Sequence, residues 1–453
     1  MIEAERIEYR NDKSIAQKAA CVLYWMQAAQ RAQDNPALAF ACAQADNLGL
    51  PLAVVFVLAD YPSATAVHYR WMLAGLKEVA AVLRSAGIKF AIQRGRPEEV
   101  VTRAARKAAL LVCDRSPSRF AVGARQMLAN TLPIPVIKVD GESVIPERVA
   151  SPKQEWSART FRQKTSGAIE VYAAAPPLAV PVPKKDGTHL DIPTDDSLFE
   201  AFSGPIRPAY DGDLAPMQVI TTAPGPAAAR DRLHQFVTRR LDTYDEDRND
   251  PLQEGTSGLS AYLHFGQISP LAMLRAARRH GGPGYPAFAE QLVVRRELCR
   301  NYVRYRPQDY DAWSGLPAWA RATLEAAAAD RRQYTYSRAQ FEAAATHDQY
   351  WNAAQRQLLR TGTIHNYMRM YWGKMILAWS ADPRTAFETA LWFNDHYALD
   401  GRDPNGWAGV AWCFGLHDRP WPTRPVYGTV RSMVAAGLRR KFDADAYARV
   451  WKA

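Results

Sequence analysis

THDQYWNAAQRQLLRTGTIHNYMRMYWGKMILAWSADPRTAFETALWFNDHYALDGRDPNGWAGVAW occupies residues 346–412, and the rest of the chain is read outward from it. Six tryptophans (Trp351, Trp372, Trp379, Trp392, Trp407 and Trp412) are interleaved with Asn, Asp and Arg at helical spacing. An ordinary helical core prefers Leu, Ile and Ala at such positions. A wall of this composition suits a large flat π-system with hydrogen-bonding edges. Trp372 and Trp379 lie seven residues apart, two turns and about 10 Å along one helix face. From spacing alone, tryptophans in a helical bundle read first as core and only second as a redox relay. In DGRDPNGWAGVAW (400–412), the succession of Asp, Arg, Asp, Pro, Asn and Gly cannot continue a helix or a strand. It reads as a loop whose Asp and Asn side chains can bond a heterocycle's edge.

Helical patterns dominate on both sides of this stretch from residue 227 onward. AAARDRLHQFVTRRLDTYDEDRN, SPLAMLRAARRH, YPAFAEQLVVRRELCRNYVRY, LPAWARATLEAAAAD, SRAQFEAAATHDQYWNAAQRQLLRTG, HNYMRMYWGKMILAWS and DPRTAFETALWFNDHYAL each predict a helix, several starting at Ser, Asp or Pro. Residues 19–145 behave differently. Short continuous apolar runs (AACVLYW, LPLAVVFVL, IKFAIQRG, ALLVCDRS, IPVIKVD) alternate with amphipathic segments such as 68–87, which ends on Gly87. That alternation predicts a doubly wound, mostly parallel α/β sheet with ligands at the strand C-terminal ends. Between them Pro recurs densely from 146 to 226, the mark of a long connection. Within it, SPKQEWSARTFRQK (151–164) predicts a basic amphipathic helix docked on the first domain.

Composition bounds the function. A chain of 453 residues is long for a single core, so two domains are expected. The N-terminus is charged and lacks a signal peptide's apolar core, and no apolar run reaches membrane length, so a cytoplasmic protein without a membrane partner is expected. Cys21, Cys42, Cys113, Cys299 and Cys413 are scattered, without the local pairing of disulfide frameworks or Cys-ligated metals. The net charge of +11, from 57 Lys+Arg against 46 Asp+Glu, admits a polyanionic partner as well as plain solubility. HExxH, GxSxG, GxGxxG and GxxxxGK[ST] are absent, so zinc hydrolysis, serine hydrolysis, a dinucleotide fingerprint and a P-loop lack their residues.

Two further motifs carry chemistry. GTSGLSAYLHFGQISP (255–270) joins a Gly/Ser/Thr loop to a helix start, which is either a capped turn or an anion site fit for a diphosphate. AEQLVVRRELCRNYVRYRP places Arg295, Arg296, Arg300, Arg304 and Arg306 on one helix with Tyr302 and Tyr305 between them. Basic residues among aromatics suit phosphate contact and base stacking, or a solvated face with i,i+4 pairs.

Several long blocks together resemble, in order, the photolyase/cryptochrome family, and within it the class II cyclobutane pyrimidine dimer photolyases. They are YWMQAAQRAQDNPAL (24–38), VDGESVIPERVASPKQEWSARTFR (139–162), GTSGLSAYLHFGQISP, THDQYWNAAQ, HNYMRMYWGK, NDHYALDGRDPNGWAGVAW and HDRPWPTRPVYGTVRSM. The resemblance implies a Rossmann-like antenna domain (1–175), a linker (176–226) and an all-helical FAD-binding catalytic domain (227–453). It implies a deoxyribodipyrimidine photo-lyase, a carbon–carbon lyase acting as a monomer on DNA. Photoexcited reduced FAD would donate an electron to a flipped-out dimer, which splits into two pyrimidines. A second, antenna chromophore of deazaflavin type is also implied, and no metal.

Residue by residue, the resemblance places Tyr244, Thr256, Ser257, Gly258, Leu259 and Ser260 on the FAD phosphates. Arg369 and Asp400 would pair beside the isoalloxazine. Asn394 would face flavin N5, with Asn405 as the second candidate. Trp372, Trp351 and Trp379 would relay electrons, in that order outward. Gln291, Arg295, Met370 and Trp412 would meet the dimer. Two departures stand out. Gln291 replaces the family's usual Glu, with Glu290 turned about 100° away on a regular helix. Gln27-Ala28-Ala29 and Gly141-Glu142-Ser143 replace Ser-Arg-Asp and Ala-His-Asn in the antenna domain. The alternative is a cryptochrome-like light sensor without repair activity. Gln291 favours it, and the end at Ala453 without a C-terminal extension sets the opposite expectation.

Overall fold

The computed structural model describes residues 2–202 and 222–452, so the part of the Pro-rich stretch from 203 to 221 lies outside the described residues. The first half contains β1 (Ile7–Tyr9), β2 (Cys21–Met26), α1 (Pro36–Leu48), β3 (Leu52–Leu58), α2 (Ala66–Ser85) and β4 (Lys89–Arg94). It continues through α3 (Pro97–Ala104), β5 (Ala108–Asp114), α4 (Arg119–Thr131), β6 (Val136–Val139), α5 (Glu147–Ala150) and α6 (Ala158–Ala173). Every residue of β2, β3 and β5 is buried, because helices cover both faces of the sheet. The order is β1-β6-β5-β2-β3-β4, parallel except for β1 against β6. Sequence reading missed β1, whose three residues carry a charge and no apolar run. Winding reverses at β2, flanked by β3 and β5, and that reversal opens a crevice at their C-terminal ends.

The described part of the proposed linker does not hang free. Gly187 N–H donates to Gly87 O at 2.7 Å, Asp195 N–H to Ile92 O at 2.8 Å, and Ile192 and Leu198 are buried against the sheet's cores.

The second half is helical: α7 (Pro226–Arg239), α8 (Tyr244–Asp247), α9 (Ser260–His264), α10 (Pro270–His280), α11 (Tyr285–Ala289) and α12 (Arg296–Tyr305). A π-helical turn, Glu290–Arg295, joins the last two. Then come α13 (Ala318–Ala326), α14 (Arg338–Glu342), α15 (Gln349–Thr361), α16 (Asn366–Trp379), α17 (Pro383–Tyr397), α18 (Pro404–Cys413), α19 (Ala435–Arg439) and α20 (Ala444–Val450).

Three sequence expectations are corrected. The helix expected from 337 breaks at Ala344, whose φ of 51° ends α14, and α15 restarts on the Asp348 cap. The loop expected over 400–412 ends early, since Asp403 caps α18 and Pro404 opens it. The 151–164 segment docks mainly on the helical half rather than on the first domain alone. Phe161 of α6 is buried in one cluster with Phe236, Tyr244 and Phe288, and α6 packs on the π-helical turn.

The seam between the halves is polar and buried. Glu297 accepts from Val144 N–H (2.5 Å) and Ile145 N–H (3.4 Å), Arg300 pairs with Glu147 (2.8 Å), and Arg31 pairs with Glu142 (2.6 Å). Such pairs add little net stability, but losing one partner strands a buried charge.

Candidate active site

Helices α16, α17 and α18 converge on the predicted ion pair. Arg369 Nη2 donates to Asp400 Oδ1 at 2.9 Å, and both side chains are mostly buried. Beside them Asn394 is 3% exposed, and its Nδ2 donates to Asp395 Oδ1 at 2.9 Å. The amide oxygen is left without a hydrogen bond to any described residue. Helix α18 lies close enough that a Cβ on Gly406 would stand 2.7 Å from Asn394 Nδ2, so only glycine admits this approach. Asn405, in the first turn of α18, donates both its backbone N–H and its Nδ2 to Asp403 Oδ1.

Asp395 was missed from sequence. It is held by three N–H groups: Asn394 Nδ2, Arg402 N (3.0 Å) and Trp407 Nε1 (3.1 Å). Burial raises its pKa against those bonds. The available signal was a carboxylate one position after Asn394 in an otherwise apolar stretch of α17. Asp403 goes the other way. Burial pushes it up, but the hydrogen bond from His264 and the nearby Arg296 outweigh burial and hold it well below the carboxylate range.

The three tryptophans expected to form a relay are together and buried. Trp372 Nε1 donates to Gln355 Oε1 at 2.8 Å, and Trp351 Nε1 donates to Trp372 O at 3.0 Å. The Trp351 and Trp379 ring centroids are 6.4 Å apart. Trp379 meets the half-buried Tyr336 and the exposed His347, so it is the outward end.

The 256–260 loop packs against α7. Arg232 Nε donates to Ser257 O at 3.0 Å, and its guanidinium stands 2.6 Å from where a Gly258 Cβ would lie, at φ +66°. Arg232, unforeseen from sequence, therefore brings a half-buried cation to this loop. Tyr244 is buried edge-on against Phe236 and Phe288.

On the opposite side the Arg295 guanidinium sits 5.6 Å over the Trp412 ring. Met370 O lies 3.8 Å from Cys413 Sγ, next to Trp412. Gln291 is half-buried on the π-helical turn, a distortion common at functional sites. Glu290 is committed to Arg162 (2.7 Å) and Arg295 (3.1 Å).

A separate cavity of about 220 Å³ opens at the β2, β3 and β5 ends and is closed by the helical half. Its apolar wall includes Trp25, Phe56, Tyr61, Met72 and Phe120, and Arg402 and Trp407 border it from the second half. Two buried wall atoms lack partners, Gln27 Nε2 and Gln30 Oε1. One offers a donor and the other an acceptor, as a polar heteroaromatic ligand requires.

His365 ties α16 to the turn that follows α8. Its Nε2–H donates to Arg248 O at 3.1 Å, and Nδ1 accepts from Tyr367 N–H at 3.3 Å as the helix cap. Burial lowers its pKa from 6.5 to about 4. Between those values the unfolded chain takes up a proton that the folded chain refuses. The neutral ring's contribution is therefore complete above pH 6.5 and is lost as pH falls toward 4, about 3 kcal/mol in all. His365→Asn keeps the cap and should flatten this acid limb in urea titrations at pH 7.5, 6 and 5. An unchanged limb would contradict the assignment.

Residues 22–184 match the family model described as DNA photolyase. Over 449 residues the chain is 41% identical to the deoxyribodipyrimidine photo-lyase of Methanothermobacter thermautotrophicus, covering 99% of this chain and 98% of that one. It is 40% identical over 447 residues to the deoxyribodipyrimidine photo-lyase of Oryza sativa subsp. japonica, covering 94% and 86%. Its fold superposes on a bacterial class III photolyase from Agrobacterium tumefaciens (TM-score 0.73, 20% identity, 96% and 87% coverage). It also superposes on a Synechocystis cryptochrome (TM-score 0.72, 18% identity, 95% and 88% coverage).

Proposed function

The chain belongs to the photolyase/cryptochrome family, and from that membership we propose that it is a light-dependent DNA-repair lyase of the class II kind, splitting cyclobutane pyrimidine dimers. The observation that carries this reading is the Arg369–Asp400 pair, which shares helices α15–α17 and the turn after them with buried Asn394 and the three buried tryptophans. The residues fit a bound FAD. A cation, Arg232, reaches the 256–260 loop where phosphates would lie, and Tyr244 and Ser257–Ser260 complete that end. The free oxygen of Asn394 can accept a ring N–H, and Asp395 fixes its direction by holding the amide's N–H. When bound, FAD supplies the light-driven one-electron chemistry.

The chain's own residues do the rest. The Arg369–Asp400 pair would orient the ring, with the guanidinium available to its polar edge. Trp379, Trp351 and Trp372 form a path from the surface inward. Trp412, Met370 and Arg295 receive the extruded dimer, and Gln291 offers a neutral amide to a pyrimidine carbonyl or imide. The protein acts as a monomer. The cavity at the sheet's edge would hold the antenna chromophore, of the deazaflavin class. Among the described residues no helix is long and apolar enough to cross a membrane.

The test is an absorption spectrum, then blue light on flavin-reduced protein with a dimer-containing oligonucleotide. Flavin bands with recovery of pyrimidine absorbance are expected. Flavin bands without recovery would favour the second reading, a sensor without repair, which Gln291 in place of Glu supports. A protein without flavin would overturn both.

A further inference from the structure

Trp156 leaves 68% of its surface to solvent, and no other tryptophan among the described residues is comparably exposed. An indole is costly to leave in water, and this one is not on a loose loop. The segment ahead of α6 is clamped to the helical half at four points. Tyr305 Oη donates to Ser151 O (2.9 Å), Asn301 Nδ2 to Lys153 O (2.9 Å), Glu155 N–H to Asn301 Oδ1 (2.8 Å), and His417 Nδ1–H to Trp156 O (3.1 Å). The backbone that carries the indole is therefore held in place.

The last clamp sets the location. The His417 ring stands edge-on to Trp412 with centroids 5.9 Å apart, and Arg295 covers Trp412. Trp156 is thus the α/β half's contribution to the rim of the wall proposed to receive the dimer. Charge around it is positive. Lys153, Arg159 and Arg419 are exposed, with no carboxylate partner for their side chains among the described residues. The nearby acids are engaged: Glu155 with Lys164 (2.7 Å), Glu290 with Arg162 and Arg295, and Asp418 with Trp421 Nε1 (3.1 Å).

We propose that Trp156 is a strand-gripping residue that stacks on a base or sugar of the damaged DNA strand beside the lesion, with Lys153 and Arg159 on the adjoining phosphates. An aromatic set among unpaired cations is the combination that single-stranded nucleic acid requires, and none of the described residues covers it. The inference rests on the DNA-repair reading and adds that the α/β half holds substrate directly.

The experiment is fluorescence anisotropy with a dimer-containing duplex in the dark, on flavin-loaded wild type, Trp156→Ala, Trp156→Phe and Arg159→Ala. Trp156→Ala should weaken binding about tenfold, within the range of one base–aromatic stack, and Trp156→Phe should restore most of it. Arg159→Ala should lower the slope of log affinity against log salt by about one. Flavin absorbance should be the same in all four, because Trp156 and Arg159 are solvent-exposed and are not among the residues proposed to hold the flavin. Wild-type affinity in Trp156→Ala, with wild type still preferring dimer-containing DNA, would overturn this inference alone. A wild type that does not distinguish damaged from intact duplex would overturn the repair reading, and the inference with it.

Discussion

Trp351→Phe is expected to slow light-driven reduction of bound oxidised flavin about a hundredfold or more, a barrier increase of about 3 kcal/mol. Repair by protein reduced chemically beforehand should stay within about twofold of wild type, well under 1 kcal/mol. Trp351 is the middle of the proposed path, bonded to the Trp372 carbonyl at 3.0 Å and 6.4 Å from Trp379 between ring centroids. The substitution removes the easily oxidised indole that touches both Trp372 and Trp379. Phe keeps most of the apolar volume at a fully buried position, so the fold should lose only about 1–2 kcal/mol. Trp392→Phe is the control, because Trp392 stacks on His396 under Arg338 and, among the described residues, makes ring contacts with Phe393, His396 and Tyr397 but with none of the three tryptophans. Flash photolysis of oxidised protein and a dark-reduced repair assay separate the two activities. Equal loss of both would make Trp351 a structural residue.

That experiment also bears on what sequence can reveal. Periodicity located α15, α16 and α17 and put Trp372 and Trp379 on one face, but spacing cannot distinguish a relay from a packed core. Only the resemblance gave the three indoles an order, and the structure then brought them into one buried set. The Arg369–Asp400 pair was likewise named through family motifs, since residues 31 apart in sequence have no periodic relation. Asp395 escaped because its role is tertiary. It answers N–H groups from Asn394, Arg402 and Trp407, two of them beyond the end of its own helix. Arg232 escaped for the same reason, since its partner loop lies 25 residues away. The α/β half was easier to read. A buried parallel sheet writes itself as continuous apolar strands, and only the three-residue β1 was too short to register. The docking of α6 was misassigned because amphipathicity shows that a helix has a buried face, not what it is buried against.

Gly266→Ala is expected to cost the most stability, about 4 kcal/mol or more, by combining two named penalties. The residue has φ +64°, where an alanine is strained, and its Cβ would lie 1.6 Å from Ala28 O and 2.9 Å from Gln30 N. Neither side can yield easily. Asp114 at the end of β5 fixes the 27–29 turn by accepting from Gln27 N–H (2.8 Å), Ala28 N–H (2.9 Å) and Ala29 N–H (3.1 Å). Gly266 O is itself held by Arg31 Nη1 at 3.0 Å, the same guanidinium that pairs with buried Glu142. Relief of the clash must therefore open the seam and expose that pair. Because Ala28, Gln30 and Phe265 also line the cavity at the sheet's edge, the same movement should reshape the proposed antenna site. Gly123→Ala is the matched control: it lies within α4, with nothing within 4 Å of the added methyl, and should gain up to about 1 kcal/mol. Urea midpoints followed by tryptophan fluorescence would compare the two variants. A Gly266→Ala midpoint equal to wild type would mean that the halves meet with slack. A loss of the expected size would show that the helical domain and the sheet fold as one body, with the cavity's shape set by the backbone contact between Gly266 and Ala28.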